Sequence, residues 1–302
     1  MSKAIIILGN GFDLDLGLKT SYADFAGSSQ WKELMDNNAH SLDESWLLGF
    51  LKSKYDVNQW IDIESALLEY AVDKTKSHIM ANAAEDAIDF KALCQALKNY
   101  LRDQQEQFCS SIHSVASGFM KHIASLSGQS SLYSFNYTDL NVLAGKYGLT
   151  MNNIVHHIHG SLAADDDIIL GIETSERIDD QYAFLFKTQN RKYAHTNILK
   201  DLRDKEEYVF FGHSLNGMDY EYFKRTFQDL SILSSSKPPR LTIITKDEAS
   251  ENRFKSFLRR HISLQGLYSY SNPVFILTDL VYENDKSEIQ KVRDLFERLR
   301  IM

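Results

Sequence analysis

The chain opens on an unbroken apolar run, Ile5-Ile6-Ile7-Leu8, which stops at Gly9-Asn10-Gly11. β-Branched residues without polar alternation predict a strand buried on both faces, as in the middle of a parallel sheet. From about residue 43 to 126 the period changes and the chain reads almost entirely as helix. Phe90, Leu93, Leu97, Leu101, Phe108, Ile112, Val115, Phe119 and Ile123 recur three or four residues apart, the spacing of a helix face. They predict one long helix or two consecutive ones, with core packing as the role of the stripe.

After Ser127-Gly128 short apolar runs alternate with helical patterns. Strands are predicted over 131–135, 154–158, 168–170, 208–211, 241–245 and 274–277, and helices over 139–147, 197–204, 218–233, 248–261 and 286–300. Such alternation implies an α/β fold, an open and mostly parallel sheet flanked by helices on both faces, Rossmann-like in outline. The expectation is a single domain over residues 1–302, with a helical insertion or cap after the first strand at about 30–127. The three prolines, Pro238, Pro239 and Pro273, force no break before position 238.

Composition narrows the class of partner. With 302 residues, 43% of them hydrophobic and 25% charged, the chain can bury a large core. A formal charge of −8 argues against a nucleic-acid backbone as the main partner, since that interaction needs a basic face. Two cysteines, Cys94 and Cys109, cannot build a four-thiolate zinc site. No apolar stretch approaches the roughly twenty residues that span a bilayer. One lysine and a short apolar run lead straight into the glycine turn, so no secretory leader is expected and the predicted compartment is the cytoplasm.

Candidate chemistry lies just past the predicted strands, because ligands of parallel sheets collect beyond the strands' C-terminal ends. Four polar clusters occur there: Gly9-Asn10-Gly11-Phe12-Asp13, Ser134-Phe135-Asn136-Tyr137-Thr138-Asp139, His156-His157-Ile158-His159-Gly160-Ser161, and Phe211-Gly212-His213-Ser214-Leu215. Each has a second reading. Gly-x-Gly after a strand is either a phosphate-binding loop or only a turn. On the first reading, Gly11→Val should abolish ligand binding and leave the fold intact. Asn136 is either a functional amide or a helix N-cap. His157 and His159 alternate onto one strand face and could hold a metal, but no third ligand has a recognisable spacing, so no metal is expected. His159 is either a satisfied surface histidine or a general base. Gly212-His213-Ser214-Leu215-Asn216 is similar to a hydrolase nucleophile elbow with Ser214 as nucleophile, although Asn216 replaces its last glycine and His261 is the only later histidine. A pairing of Arg191 with His195 is one residue short of the toxin-ribonuclease spacing.

Taken in order, these motifs resemble the AbiH family of bacterial phage-defence (abortive infection) proteins, over nearly the whole chain. The resemblance rests on Gly9-Asn10-Gly11-Phe12-Asp13-Leu14 with Gly17-Leu18, on Thr20-Ser21-Tyr22-Ala23-Asp24-Phe25, and on Trp60-Ile61-Asp62-Ile63-Glu64. It continues through Phe135-Asn136-Tyr137-Thr138, His157-Ile158-His159-Gly160, and Phe211-Gly212-His213-Ser214-Leu215 with Asp219. At a greater distance the series is similar to the sirtuin-like NAD-consuming fold. That resemblance implies NAD or a related nucleotide as substrate or ligand, contacted by Gly9, Asn10, Gly11, Phe12, Asp13, Thr20, Tyr22, Asp24, Phe25, Gly212, His213, Ser214 and Asp219. It implies Asn136 as the amide that orients the nicotinamide ribose and water, and His159 as general base.

Two departures bear on activity. The aspartate that usually follows the catalytic Asn by two residues is Thr138 here, with Leu140 still in register. The four-cysteine zinc ribbon of protein deacylases is missing, which favours nucleotide hydrolysis over deacylation. The resemblance therefore implies a phage-defence NAD glycohydrolase. A non-catalytic nucleotide sensor is the alternative, and a Ser214 hydrolase ranks behind both. A phage protein as trigger and a homo-oligomer are the expected partners.

Overall fold

The computed structural model describes residues 3–301 apart from 39–42, 59–61, 78–81, 112, 127–129, 164–165, 192, 194–196, 216 and 233–237. Two compact units divide the chain. One takes Met1–Leu18, Phe108–Ile158 and His195–Met302, and the other Lys19–Gln107 and His159–Ala194.

The first unit is built on six strands: β1 (Ala4–Leu8), β2 (Ser130–Ser134), β3 (Val155–His157), β4 (Glu207–Phe211), β5 (Arg240–Thr245) and β6 (Val274–Leu277). They lie in the order β3-β2-β1-β4-β5-β6 with every neighbouring pair parallel. That is the Rossmann order, whose direction of growth reverses between β1 and β4. The Ile5-Ile6-Ile7 run becomes the central strand because both of its faces are covered. Ala4, Ile6 and Leu8 pack with Phe119, Met120 and Leu295, while Ile5 and Ile7 pack with Tyr208, Phe210, Phe223 and Phe227. Each isoleucine is fully buried, worth about 2 kcal/mol as an upper estimate.

The strand β4 begins one residue earlier than predicted, on the fully buried Glu207. Its carboxylate accepts from Arg298 Nε at 3.1 Å and Thr242 Oγ1 at 3.0 Å, so the charge at this end of the sheet is paired. The helix expected over 218–233 starts at Tyr220, after a 3-10 turn at Gly217–Asp219.

The apolar stripe proves to be two helices. Ala83–Gln107 belongs to the second unit and Val115–Ser125 to the first. The second of them starts where Ser114 and Ser117 form a reciprocal capping box. Cys109 falls in the stretch between them, outside any helix.

In the second unit, Leu47–Asn58, Ile63–Ser77 and Ala83–Gln107 are helices. The strand expected over 168–170 is absent: only isolated bridges form, Gly160 to Ile168 and Ile172 to Phe186. Gly160 (φ +70°) and Gly171 (φ +148°) bend the chain out of the extended conformation on either side, so no ladder propagates. Asp86 is the buried anchor of this unit. It accepts from Tyr70 Oη at 2.7 Å, Tyr182 Oη at 3.1 Å and Leu47 N at 2.9 Å, and burial raises its pKa. Among the described residues, no helix is long and apolar enough to cross a membrane.

Candidate functional site at the strand tips

The register sets the C-terminal ends of four strands level. Leu8 is the partner of both Ser134 and Phe211, and Ser134 is in turn the partner of His157. The polar clusters after β1, β2 and β4 therefore emerge side by side within the first unit.

Their backbones are interlocked. Gly9 N donates to Phe211 O at 2.9 Å and Gly11 N to Gly212 O at 2.9 Å, while Phe135 N donates to Leu8 O. A Cβ on Gly9 would lie 2.6 Å from His213 Cα, and one on Gly212 would lie 2.3 Å from Phe12 N. The glycines are thus required by the approach of two loops to each other. Two of the amides that a phosphate loop would offer already donate to β4 and the turn after it. The helix that follows, Asn10–Asp15, is also too short to carry a strong dipole.

Directly beneath this contact sits a buried polar cluster. Asp13 is 2% exposed and Asn136 6% exposed. Asn136 Nδ2 donates to Asp13 Oδ1 at 2.8 Å and to Gly9 O at 3.1 Å, and Thr138 Oγ1 donates to Asp13 Oδ2 at 2.8 Å. Burial raises the Asp13 carboxyl to about 7, against the opposing pull of its hydrogen bonds from Thr138 and Asn136. Asn136 Oδ1 is buried and accepts no hydrogen bond from any described residue. The Asn136 carbonyl lies 3.2 Å from His157 Nδ1, a donor contact that protonates Nδ1 in the neutral ring. Asn136 is therefore not a helix N-cap: Asp139 caps the next helix, Leu140–Lys146, by accepting from Asn141 N.

On the β4 side the turn is strained. Gly212 has φ +65° and Leu215, buried completely, has φ +56°. His213 Nδ1 accepts from Leu215 N at 3.1 Å, which leaves Nε2 as the protonated nitrogen of the neutral ring, 3.8 Å from Asp219. The His213 ring packs edge-on against Phe135, with centroids 4.6 Å apart. Ser214 is exposed and carries none of the strain: the left-handed residue is its neighbour Leu215. His261 packs against Tyr220 and Phe257.

Of the residues predicted to act, the first unit holds Gly9, Asn10, Gly11, Phe12, Asp13, Asn136, Gly212, His213, Ser214 and Asp219. Phe12 is fully buried, edge-on to Phe211 at 5.2 Å, and packs in the core. The second unit holds Thr20, Tyr22, Asp24, Phe25 and His159. There Asp24 completes a capping box with Ser21, and Phe25 is fully buried between Trp31 and Tyr100. His159 is 4% exposed, and its carbonyl accepts from Ile169 N at 2.8 Å. Gly160 is fixed by packing, since a Cβ there would meet Asp167 O at 1.8 Å. Glu64, from the Trp60–Glu64 motif, pairs with the fully buried Lys187 at 3.0 Å. Trp60, Ile61, Lys192, His195 and Asn216 lie outside the described residues. Among the described residues no three His, Cys, Asp or Glu side chains gather as a metal site.

By sequence alone Asp13 belongs to the phosphate loop and Thr138 stands for a lost carboxylate. In the fold the two side chains form one hydrogen-bonded unit with Asn136. A signal for this was present: Asp13 shares the buried side of its short helix with Phe12 and Leu16, where a carboxylate needs partners.

Comparison with known proteins gives one family. Residues 5–236 match the family model described as bacteriophage abortive infection AbiH, well over half of the chain. No curated protein and no solved structure matches it.

Proposed function

Because the chain belongs to the AbiH family of bacteriophage abortive infection proteins, we propose that it acts in that defence by taking NAD or a related nucleotide at the tips of β1, β2 and β4 and hydrolysing the nicotinamide–ribose bond. The observation that carries this reading is the buried Asn136 amide. Its nitrogen is fully engaged and its carbonyl oxygen is left as an acceptor, beside the turn that follows the central strand β1. A neutral acceptor suits a ribose hydroxyl or an attacking water. It also stabilises the oxocarbenium-like charge that builds as the C1′–N bond breaks, without trapping the cation as a carboxylate would.

The reaction balances with water alone. Water oxygen bonds to C1′, nicotinamide leaves as a neutral base, and the proton lost by water passes to a base and then to solvent. The alternative, a nucleotide sensor without turnover, drew on Thr138 in place of the usual aspartate. The contact of Asp13 with both Thr138 and Asn136 gives Thr138 a part in holding that amide in place, and this supports turnover.

Phage challenge of cells carrying the wild-type chain or Asn136→Ala tests the reading. Protection with a fall in cellular NAD is expected for the wild type, and neither for the variant at equal abundance. Full protection by a soluble Asn136→Ala protein would overturn it.

A further inference from the structure

We infer that Asp13 is the positioning residue of this site: it fixes the orientation of the Asn136 amide, so that Oδ1 of Asn136 is presented to a hydroxyl donor of the ligand. The inference rests on the proposed reading of the site for its link to turnover, and on geometry alone for the positioning itself.

An Asn side chain can be turned by half a revolution about its last bond, exchanging oxygen and nitrogen at little cost. Here it cannot. The amide has two hydrogens, and both have an acceptor, Gly9 O at 3.1 Å and Asp13 Oδ1 at 2.8 Å. Turned the other way, the carbonyl oxygen would face two acceptors and both hydrogen bonds would become repulsions. The Gly9 carbonyl is itself held, because Gly9 N is tied to β4 and its oxygen also accepts from Phe12 N. Asp13 is held by Thr138 at 2.8 Å on its other oxygen. The chain of contacts runs Thr138, Asp13, Asn136, and ends on the one atom that accepts nothing from the described residues, Asn136 Oδ1. A buried acceptor with an unmet hydrogen bond costs stability, so its retention is expected where a ligand supplies the donor.

Protonation of Asp13 weakens this lock, since a neutral acid accepts less strongly and must place its own hydrogen. With its pKa raised to about 7 by burial, the lock tightens as pH rises through that value. Titratable groups also stand on its own helix and on the elements next to it. Asp15, on the same short helix, accepts from Ala116 N and Tyr282 Oη. On the helix Val115–Ser125, Lys121 lies over Tyr147 and His122 stacks on Phe296. Asp139 caps its helix, while His157 meets the Asn136 carbonyl and His213 lies beside Gly9.

Asn-selective 15N labelling of the full chain tests this directly, with the Asn136 side-chain amide assigned by its loss in Asn136→Ala. The amide resonance of the wild type should shift with pH, with a midpoint about 7, and should lose that step in Asp13→Asn, which keeps the acceptor and removes the titration. In turnover, Asp13→Leu should lower kcat on the order of 100-fold with KM nearly unchanged, and Asp13→Asn should restore most of it. An Asn136 amide that ignores pH in the wild type and is unmoved by Asp13→Asn would overturn the inference, even if Asp13→Leu fails to fold. A titrating amide in a protein that leaves NAD intact would uphold the positioning and reject hydrolysis of the nicotinamide–ribose bond.

Discussion

Gly11 and Gly212 meet backbone to backbone: a Cβ on Gly11 would lie 2.6 Å from Gly212 Cα and 3.0 Å from Gly212 O. The contact joins the exit of the central strand to that of its neighbour, and it changes what these glycines are for. A branched side chain at Gly11 was expected to block phosphate and spare the fold. Instead it must push apart two loops whose atoms are backbone and have nowhere to turn. Gly11→Ala should therefore cost about 2 kcal/mol in urea unfolding without any nucleotide present. Gly212→Ala should cost more, because its φ of +65° adds left-handed strain. Equal midpoints for wild type and Gly11→Ala would return the loop to its phosphate-binding reading.

The raised pKa of Asp13 has a signed consequence for stability. Its folded value, about 7, lies above the unfolded value near 4, so between them the folded chain holds a proton that the unfolded chain has released. The stability this group contributes is present below about pH 4 and is lost as pH rises towards about 7. The steepest loss is about 1.4 kcal/mol per pH unit. Asp13→Asn should remove that slope, so its advantage over the wild type grows from pH 4 to 7 and then levels off. Parallel stability profiles for the two proteins would contradict the assignment.

In the second unit, Lys187 is fully buried and Glu64 is 17% exposed in its side chain, with 3.0 Å between the charged atoms. Removing one charge takes from the other its ion-pair partner. Lys187→Met alone should cost about 3 kcal/mol, and Lys187→Met with Glu64→Gln should recover most of it. Thermal unfolding of the two variants decides the point, and equal losses would show that the charges are not coupled.

Ser214 provides a test of the hydrolase alternative. A nucleophile elbow concentrates its strain on the nucleophile, whereas here the left-handed residue is Leu215. A fluorophosphonate probe should leave Ser214 unlabelled. Stoichiometric labelling would reinstate the serine hydrolase.

How much of this was legible in the sequence follows from the range of the interactions involved. The strand β1 was legible because an all-apolar run is a local signature of burial on two faces. Asn136 was singled out because it follows a strand. The bond between Asn136 and Asp13 was not legible, since it links residues 123 positions apart and depends on the parallel register of β1 and β2. The predicted strand over 168–170 failed for the opposite reason: its residues are apolar, but bends at Gly160 and Gly171 deny them a partner ladder. Phe12 and Phe25 stand within motifs, and only the fold separates a motif's packing residues from its chemical ones.

On the proposed reading the Asn136 cluster serves cleavage of the nicotinamide–ribose bond. Incubating the purified chain with NAD and separating the products by chromatography tests it most directly. ADP-ribose and nicotinamide are expected in equal amounts from the wild type, and neither from Asn136→Ala, which should still bind NAD by calorimetry. A folded wild-type protein that binds NAD and releases no nicotinamide, or an Asn136→Ala variant that cleaves at the wild-type rate, would contradict it.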